Sequence, residues 1–193
     1  MDQPLSLHDA LYNSYAQDPN ALNQNGFNYD KDLSNDNEQV YYNPKQNKLL
    51  YTITGSHNLN DVGTDAYLAV GKIKDTSRYK NAEIKLEKAK AKYQPSHTTI
   101  SGHSLGGSIA SKLSGDRIIT YNKGSTIGEK IIGNEDSYRT HGDVVSILNN
   151  KNTTTIHDKN KYYIPQLPTF RSITKNAYDK HLLKNIKHEN IFI

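Results

Sequence analysis

Thr98-Thr99-Ile100-Ser101-Gly102-His103-Ser104-Leu105-Gly106-Gly107-Ser108-Ile109-Ala110 is the stretch on which the reading of this chain turns. Its first half is short, β-branched and apolar enough for a buried strand, and its second half is an Ala/Ser/Ile run suited to a helix. Ser104 stands at the junction, two residues after Gly102 and two before Gly106. A strand running straight into a helix brings two backbones close together, and glycines leave no Cβ to collide there. The spacing therefore predicts a sharp strand–turn–helix with the serine at its apex.

That layout is a G-x-S-x-G nucleophile elbow, in which the serine Oγ rises from the sheet edge. The new helix would aim its free N–H groups and positive dipole end at the place where an oxyanion forms. The backbone N–H of Leu105 is the natural first donor to that oxyanion.

The fuller string Gly102-His103-Ser104-Leu105-Gly106-Gly107 resembles the elbow of the class 3 lipases, the fungal-type branch of the α/β-hydrolases. The resemblance implies an α/β-hydrolase-like fold with a mixed, mostly parallel sheet flanked by helices. It extends over almost all of the chain and is weakest at the two ends.

Composition agrees with one domain spanning residues 1–193, because a chain of 193 residues is long enough for one proper core. Only 34% of residues are hydrophobic, and the mean hydropathy is −0.82; the 14 tyrosines add buried area with a polar tip. There is no cysteine, so neither disulfides nor thiolate metal sites arise and the redox compartment is not encoded. Lys and Arg number 24 against 20 Asp and Glu. That small excess is spread along the chain, which disfavours nucleic acid as a partner. The N-terminus shows neither a basic region followed by an apolar run nor any apolar stretch of membrane-spanning length. The expectation is a chain without signal peptide or membrane span, cytoplasmic or virion-associated, with its oligomeric state undetermined.

Working outward from the elbow, Leu5, Leu7, Ala10, Leu11 and Tyr15 are spaced near one helical face, with Ser6 as N-cap, so a helix is expected over residues 6–16. Residues 21–37 are Asn/Asp-rich and read as loop. Strands are expected at Glu38 to Tyr42 and Lys48 to Thr54, joined by a turn through Asn43-Pro44-Lys45-Gln46-Asn47. Residues 79–93 form an amphipathic helix with Ala82, Leu86, Ala89 and Tyr93 on one face and lysines on the others. Its return to a strand at Thr98 is a crossover, so the sheet should be partly parallel. The lysine run reads as a solvated face, with transient contact to an anionic lipid surface as the minor alternative.

Beyond the elbow, Arg117 to Tyr121 and a segment around Ser137 to Thr140 are expected strands. A hairpin follows from Thr153 to His157 and Lys161 to Ile164, then a helix from about Lys175 to Ile186.

A serine hydroxyl needs an imidazole as general base and a carboxylate to orient it. In the fold that the resemblance implies, both follow the serine in the chain. His8, His57 and His97 are then set aside, and His103 lies inside the elbow. Among Asp116, Asp136, Asp143, Asp158 and Asp179, the segment Gly142-Asp143-Val144-Val145 is similar to the string that carries the triad acid in class 3 lipases. His181 heads His181-Leu182-Leu183-Lys184-Asn185, similar to the family's late histidine, and His188 is the second candidate. Upstream, Thr54-Gly55-Ser56 resembles the oxyanion loop, with Ser56 as the second donor. Thr54 departs from the family, which usually carries arginine directly before the glycine.

The function implied is a serine carboxylic-ester hydrolase acting on an acylglycerol, phospholipid or small ester through Ser104, Asp143 and His181, with Ser56 and Leu105 as oxyanion donors. No cofactor or metal is called for. The segment from Gly55 to Tyr79 is polar where the family has an apolar helical lid, so little interfacial activation is expected. Two other readings stand beside this one: a silent hydrolase-fold component of a virus particle, and an acyltransferase or thioesterase on the same fold.

Overall fold

The computed structural model describes residues 2–56, 72–124, 133–141, 143, 145–146, 153–156, 183–187 and 189–193. The elements are α1 (Leu7–Ala16), β1 (Asn28–Tyr29), β2 (Glu38–Asn43), β3 (Lys48–Ile53), α2 (Ser77–Tyr93), β4 (His97–His103), α3 (Leu105–Ala110), β5 (Arg117–Tyr121), β6 (Glu135–Thr140) and β7 (Thr154–Ile156). The seven strands form one sheet in the order β1-β2-β3-β4-β5-β6-β7. β1/β2 and β2/β3 pair antiparallel; every later pair is parallel. The mixed, mostly parallel sheet with flanking helices is the architecture expected.

Strand periodicity of two sorts the side chains between the faces. Leu49, Tyr51, Ile53, Ile100 and Ile118 pack with Ala82, Leu86 and Ala89 of α2 and Ile109 and Ala110 of α3. Their neighbours point the other way. Tyr41 and Leu50 meet Ala10 of α1, while Ile119 and Tyr121 meet Leu7 and Leu11. Helices α2 and α3 follow β3 and β4 in parallel crossovers that step in the same direction, and crossovers of one hand put them on the same face.

The helix ends follow local chemistry. The Ser6 hydroxyl accepts the Asp9 N–H at 3.0 Å to cap α1. The Thr76 hydroxyl does the same for Tyr79 N–H at 3.2 Å, so α2 begins at Ser77, two residues earlier than its apolar spacing indicates. In the β2–β3 turn, the Asn43 side chain accepts the N–H groups of Lys45 and Gln46, each at 3.1 Å. Asn47 closes the turn at φ 51°.

Three lysines of α2 are engaged by carboxylates: Lys85 with Glu38 at 3.2 Å, Lys90 with Glu87 at 2.9 Å and Lys92 with Asp30 at 2.6 Å. Glu38 and Asp30 are themselves buried, so Lys85 and Lys92 serve them as counter-charges on this face. Among the described residues no helix is long and apolar enough to cross a membrane.

Two further expectations differ among the described residues. The segment expected as loop over 21–37 contains β1, a two-residue strand whose Asn28 and Tyr29 register with Tyr42 and Tyr41. The expected terminal helix is, over Leu183–Ile186, a 3-10 turn; residues 175–182 lie outside the described residues. So do residues 158–164, the turn and second arm of the expected hairpin; its first arm is β7. The 193-residue chain is closed on itself by an isolated bridge between Ser6 and Phe192.

A buried ion pair lies under α3. Lys123 Nζ sits 2.6 Å from Glu135 Oε1, both side chains 1% exposed, and the Thr120 hydroxyl donates to the same oxygen at 2.7 Å. Removing one partner of such a pair leaves the other charge uncompensated and typically costs about 3–5 kcal/mol. Glu135→Ala is therefore expected to lower the unfolding free energy by about that amount, read from the urea midpoint at unchanged slope. A loss below about 1 kcal/mol would show that the pair contributes no more than a surface contact.

Candidate active site

Four chain segments meet at the carboxyl ends of the central strands, where open parallel sheets place their sites. They are the loop after β3, the β4–α3 junction, the end of β5, and the turn after β6.

At the junction Ser104 has φ 56° and ψ −125°, a region that L-residues rarely occupy. The geometry around it explains the glycines. A Cβ on Gly102 would fall 2.4 Å from the Gly106 carbonyl oxygen, and a Cβ on Gly106 would fall 2.3 Å from the carbonyl oxygens of both Ile53 and Thr54. Backbone, not side chain, occupies that space, so nothing yields. The Ser104 N–H donates to Tyr121 O at 3.0 Å, tying the turn to β5. Ser104 is 2% exposed, and its Oγ has no hydrogen-bond partner among the described residues.

Asp143 follows β6 and is fully buried. Its Oδ2 accepts the N–H and the hydroxyl of Ser146 at 2.7 and 2.5 Å, and its own N–H donates to Thr140 O at 3.1 Å. The Thr140 hydroxyl is in turn hydrogen-bonded to the Tyr121 hydroxyl. One chain of contacts thus runs from Ser104 through Tyr121 and Thr140 to Asp143. Burial pushes the Tyr121 phenol well above its ordinary value, and the Asp143 charge pushes it the same way.

Two of the other candidate carboxylates are engaged elsewhere. Asp116 Oδ2 accepts the Thr98 N–H at 2.7 Å, and Asp136 pairs with Arg117 at 2.9 Å. Both stand at the amino ends of the strands, the far side of the sheet from Ser104. Asp158, Asp179, His181 and His188 lie outside the described residues, as does His57.

His103 points away from the serine. Its ring stacks on Tyr121 with centroids 5.6 Å apart, and its Nδ1 is hydrogen-bonded to the Tyr15 hydroxyl at 2.8 Å. Tyr15 also accepts the Gly55 N–H at 2.6 Å. The loop Thr54–Ser56 lies against the elbow: a Cβ on Gly55 would come within 2.9 Å of Ser104 Cβ. Ser56 is half-buried at the end of this loop, and Leu105 is the first residue of α3, where its N–H has no intrahelical acceptor. Sequence reasoning missed Tyr15 and Arg78; the latter's guanidinium reaches Thr54 O at 2.5 Å. Tyr15 reads only as a helix-face residue and Arg78 falls just before the helix expected over 79–93, since long-range contacts leave no local pattern.

A cavity of about 320 Å³ lies between Lys48, His97, Thr99, Arg117 and the N-terminal segment. It opens at the amino ends of the strands and is not part of this site.

The mixed sheet, its flanking helices and the sharp β4–α3 junction together define an α/β-hydrolase-like fold. A family model described as "Lipase (class 3)" matches residues 25–170, and the chain belongs to that family of ester-hydrolysing lipases. Among solved structures it is similar to the Lip2 lipase of Yarrowia lipolytica, with a TM-score of 0.50 and 14% identity over 78% of this chain and 76% of that one. At that identity the likeness speaks for the fold. No curated protein matches the sequence significantly.

The elbow's tolerance can be checked directly. Gly106→Ala is expected to displace α3 from β3, lowering the melting temperature and removing esterase activity together. A variant that kept both would contradict the close approach described above.

Proposed function

We propose that this lipase-family chain is a serine carboxylic-ester hydrolase in which Ser104 is the nucleophile, Asp143 the orienting carboxylate and His181 the general base. The observation that most supports it is the strained, buried Ser104, whose Oγ lacks a partner among the described residues. Folds tolerate such backbone strain where a reacting group must be held ready. The assignment of His181 over His188 rests on its resemblance to the family's late histidine.

The imidazole takes the Ser104 proton as Oγ attacks the ester carbonyl carbon, and the carbonyl electrons move to oxygen. The N–H groups of Leu105 and Ser56 receive that oxyanion. Collapse breaks the bond to the alcohol, which leaves with the proton held by the imidazole, and an acyl-serine remains. Water, deprotonated by the same imidazole, then repeats the attack and releases the carboxylic acid. Asp143 keeps the imidazole in the tautomer that accepts from serine; replacing such a carboxylate by its amide lowers kcat on the order of 10⁴-fold.

The substrate is an ester of lipid type, and the polar run after Gly55 favours hydrolysis without an interface-triggered lid. Contact with a lipid surface is transient on this reading, because three lysines of α2 are already held by carboxylates.

Labelling with a fluorophosphonate probe tests the nucleophile. The parent is expected to be labelled and Ser104→Ala to be blank; labelling that persists in Ser104→Ala refutes the assignment, and an unlabelled parent favours the silent hydrolase-fold reading. His181→Ala is expected to abolish turnover of a soluble acyl ester while His188→Ala retains it. Activity against a short-chain triglyceride is expected to rise smoothly through the point where droplets form, and a sharp jump there would contradict the lid-poor reading.

A further inference from the structure

The loop after β3 leaves the ladder at Ile53, and a segment beyond its strand depends on other groups to hold its backbone in place. Two helices supply them. From α1, the Tyr15 hydroxyl accepts the Gly55 N–H at 2.6 Å. From α2, on the opposite face of the sheet, Arg78 Nη2 donates to Thr54 O at 2.5 Å and to the Thr54 hydroxyl at 3.2 Å. Arg78 Nη1 and Nη2 each lie 3.3 Å from Gly55 O.

The planarity of the peptide unit turns these contacts into an orientation. Thr54 C=O and Gly55 N–H belong to one trans unit and point opposite ways, so Arg78 and Tyr15 hold its two ends. Gly55 C=O and Ser56 N–H belong to the next unit. Holding that carbonyl on Arg78 fixes the direction in which the Ser56 N–H faces. Tyr15 makes the second connection, since its hydroxyl is also bonded to His103 Nδ1, one residue before the nucleophile. Loop and elbow are therefore referenced to one atom. Burial pushes that hydroxyl up to about 12, so it stays protonated at working pH.

We propose that Tyr15 and Arg78 are positioning residues that grip the loop Thr54–Ser56 from opposite faces of the sheet and set its N–H groups against Ser104. Tyr15 lies outside the residues that match the family model. Arg78 brings a guanidinium from α2 onto the very residue, Thr54, that stands where the family usually carries arginine. The inference rests on Ser104 acting as the nucleophile.

Tyr15→Phe removes the acceptor and keeps the ring. Arg78→Lys keeps the charge and loses the planar fork that spans two carbonyls. Each variant is titrated to completion with fluorophosphonate, and kcat and KM for a soluble ester are expressed per titrated serine. Displacements near 1 Å can cost on the order of 10²-fold in rate, so each variant is expected to lose at least about tenfold in kcat with KM within about twofold. The inhibition constant of an alkyl boronic acid, whose tetrahedral adduct places an oxygen in the same position, is expected to rise by a similar factor.

A residue that merely supported the fold would lower the titratable fraction or the melting temperature and leave kcat per titrated serine at the parent value. That result overturns the grip. If one variant yields no folded protein, the other carries the test. A parent that the probe does not label overturns the nucleophile assignment and the grip with it, whereas a labelled parent with unchanged variants overturns the grip alone.

Discussion

The constraint on which this structure depends is a contact between backbones. Gly106 rests on the carbonyl oxygens of Ile53 and Thr54 with no room for a single added carbon. That approach seats α3 over β3 as well as β4, and it forces the chain between β4 and α3 to turn within one residue. Ser104 absorbs the turn in its own dihedral angles. The same contact brings the loop after β3 alongside the serine, so one close approach creates both the strained residue and its neighbour. The adjacent strands then complete the arrangement: β5 accepts the Ser104 N–H, and β6 leads to Asp143.

The core is built with an unusual share of polar-tipped side chains. Tyr41, Tyr51 and Tyr121 are fully buried, and each hydroxyl is satisfied: by the Asn13 amide at 2.6 Å, by Ala82 O at 3.0 Å, and by Thr140. Burial raises the phenols of all three, the cost of ionising them away from water. A chain of low mean hydropathy folds here because large rings supply the apolar area while their tips find partners.

Much of this was legible because it is local. Gly102, Ser104 and Gly106 fall within five consecutive residues and their meaning is steric, so spacing alone conveys it. Ser6 as a cap and the Asn43 turn are likewise decided by residues within a few positions of one another. Ser104 and Asp143 fall at the carboxyl ends of their strands for the same reason that β4 and β6 are legible in the sequence. β1 escaped notice because two residues at a sheet edge carry no alternation, and what pairs them is Tyr41 and Tyr42 across the ladder. Tyr15 was a face residue of α1 until the fold carried it to His103, a partner 88 positions away. Arg78 is similar: its role is set by where α2 begins relative to the end of β3, a distance that no local pattern encodes.

The Lys123–Glu135 pair has a consequence for how this sequence can change over generations. Each charge is tolerated in the interior only because the other is there, whereas two apolar side chains of matching volume would serve about as well. The two positions therefore behave as one inherited character. Neither can drift alone without passing through an unstable protein, and lineages descending from this chain should hold both charges or neither.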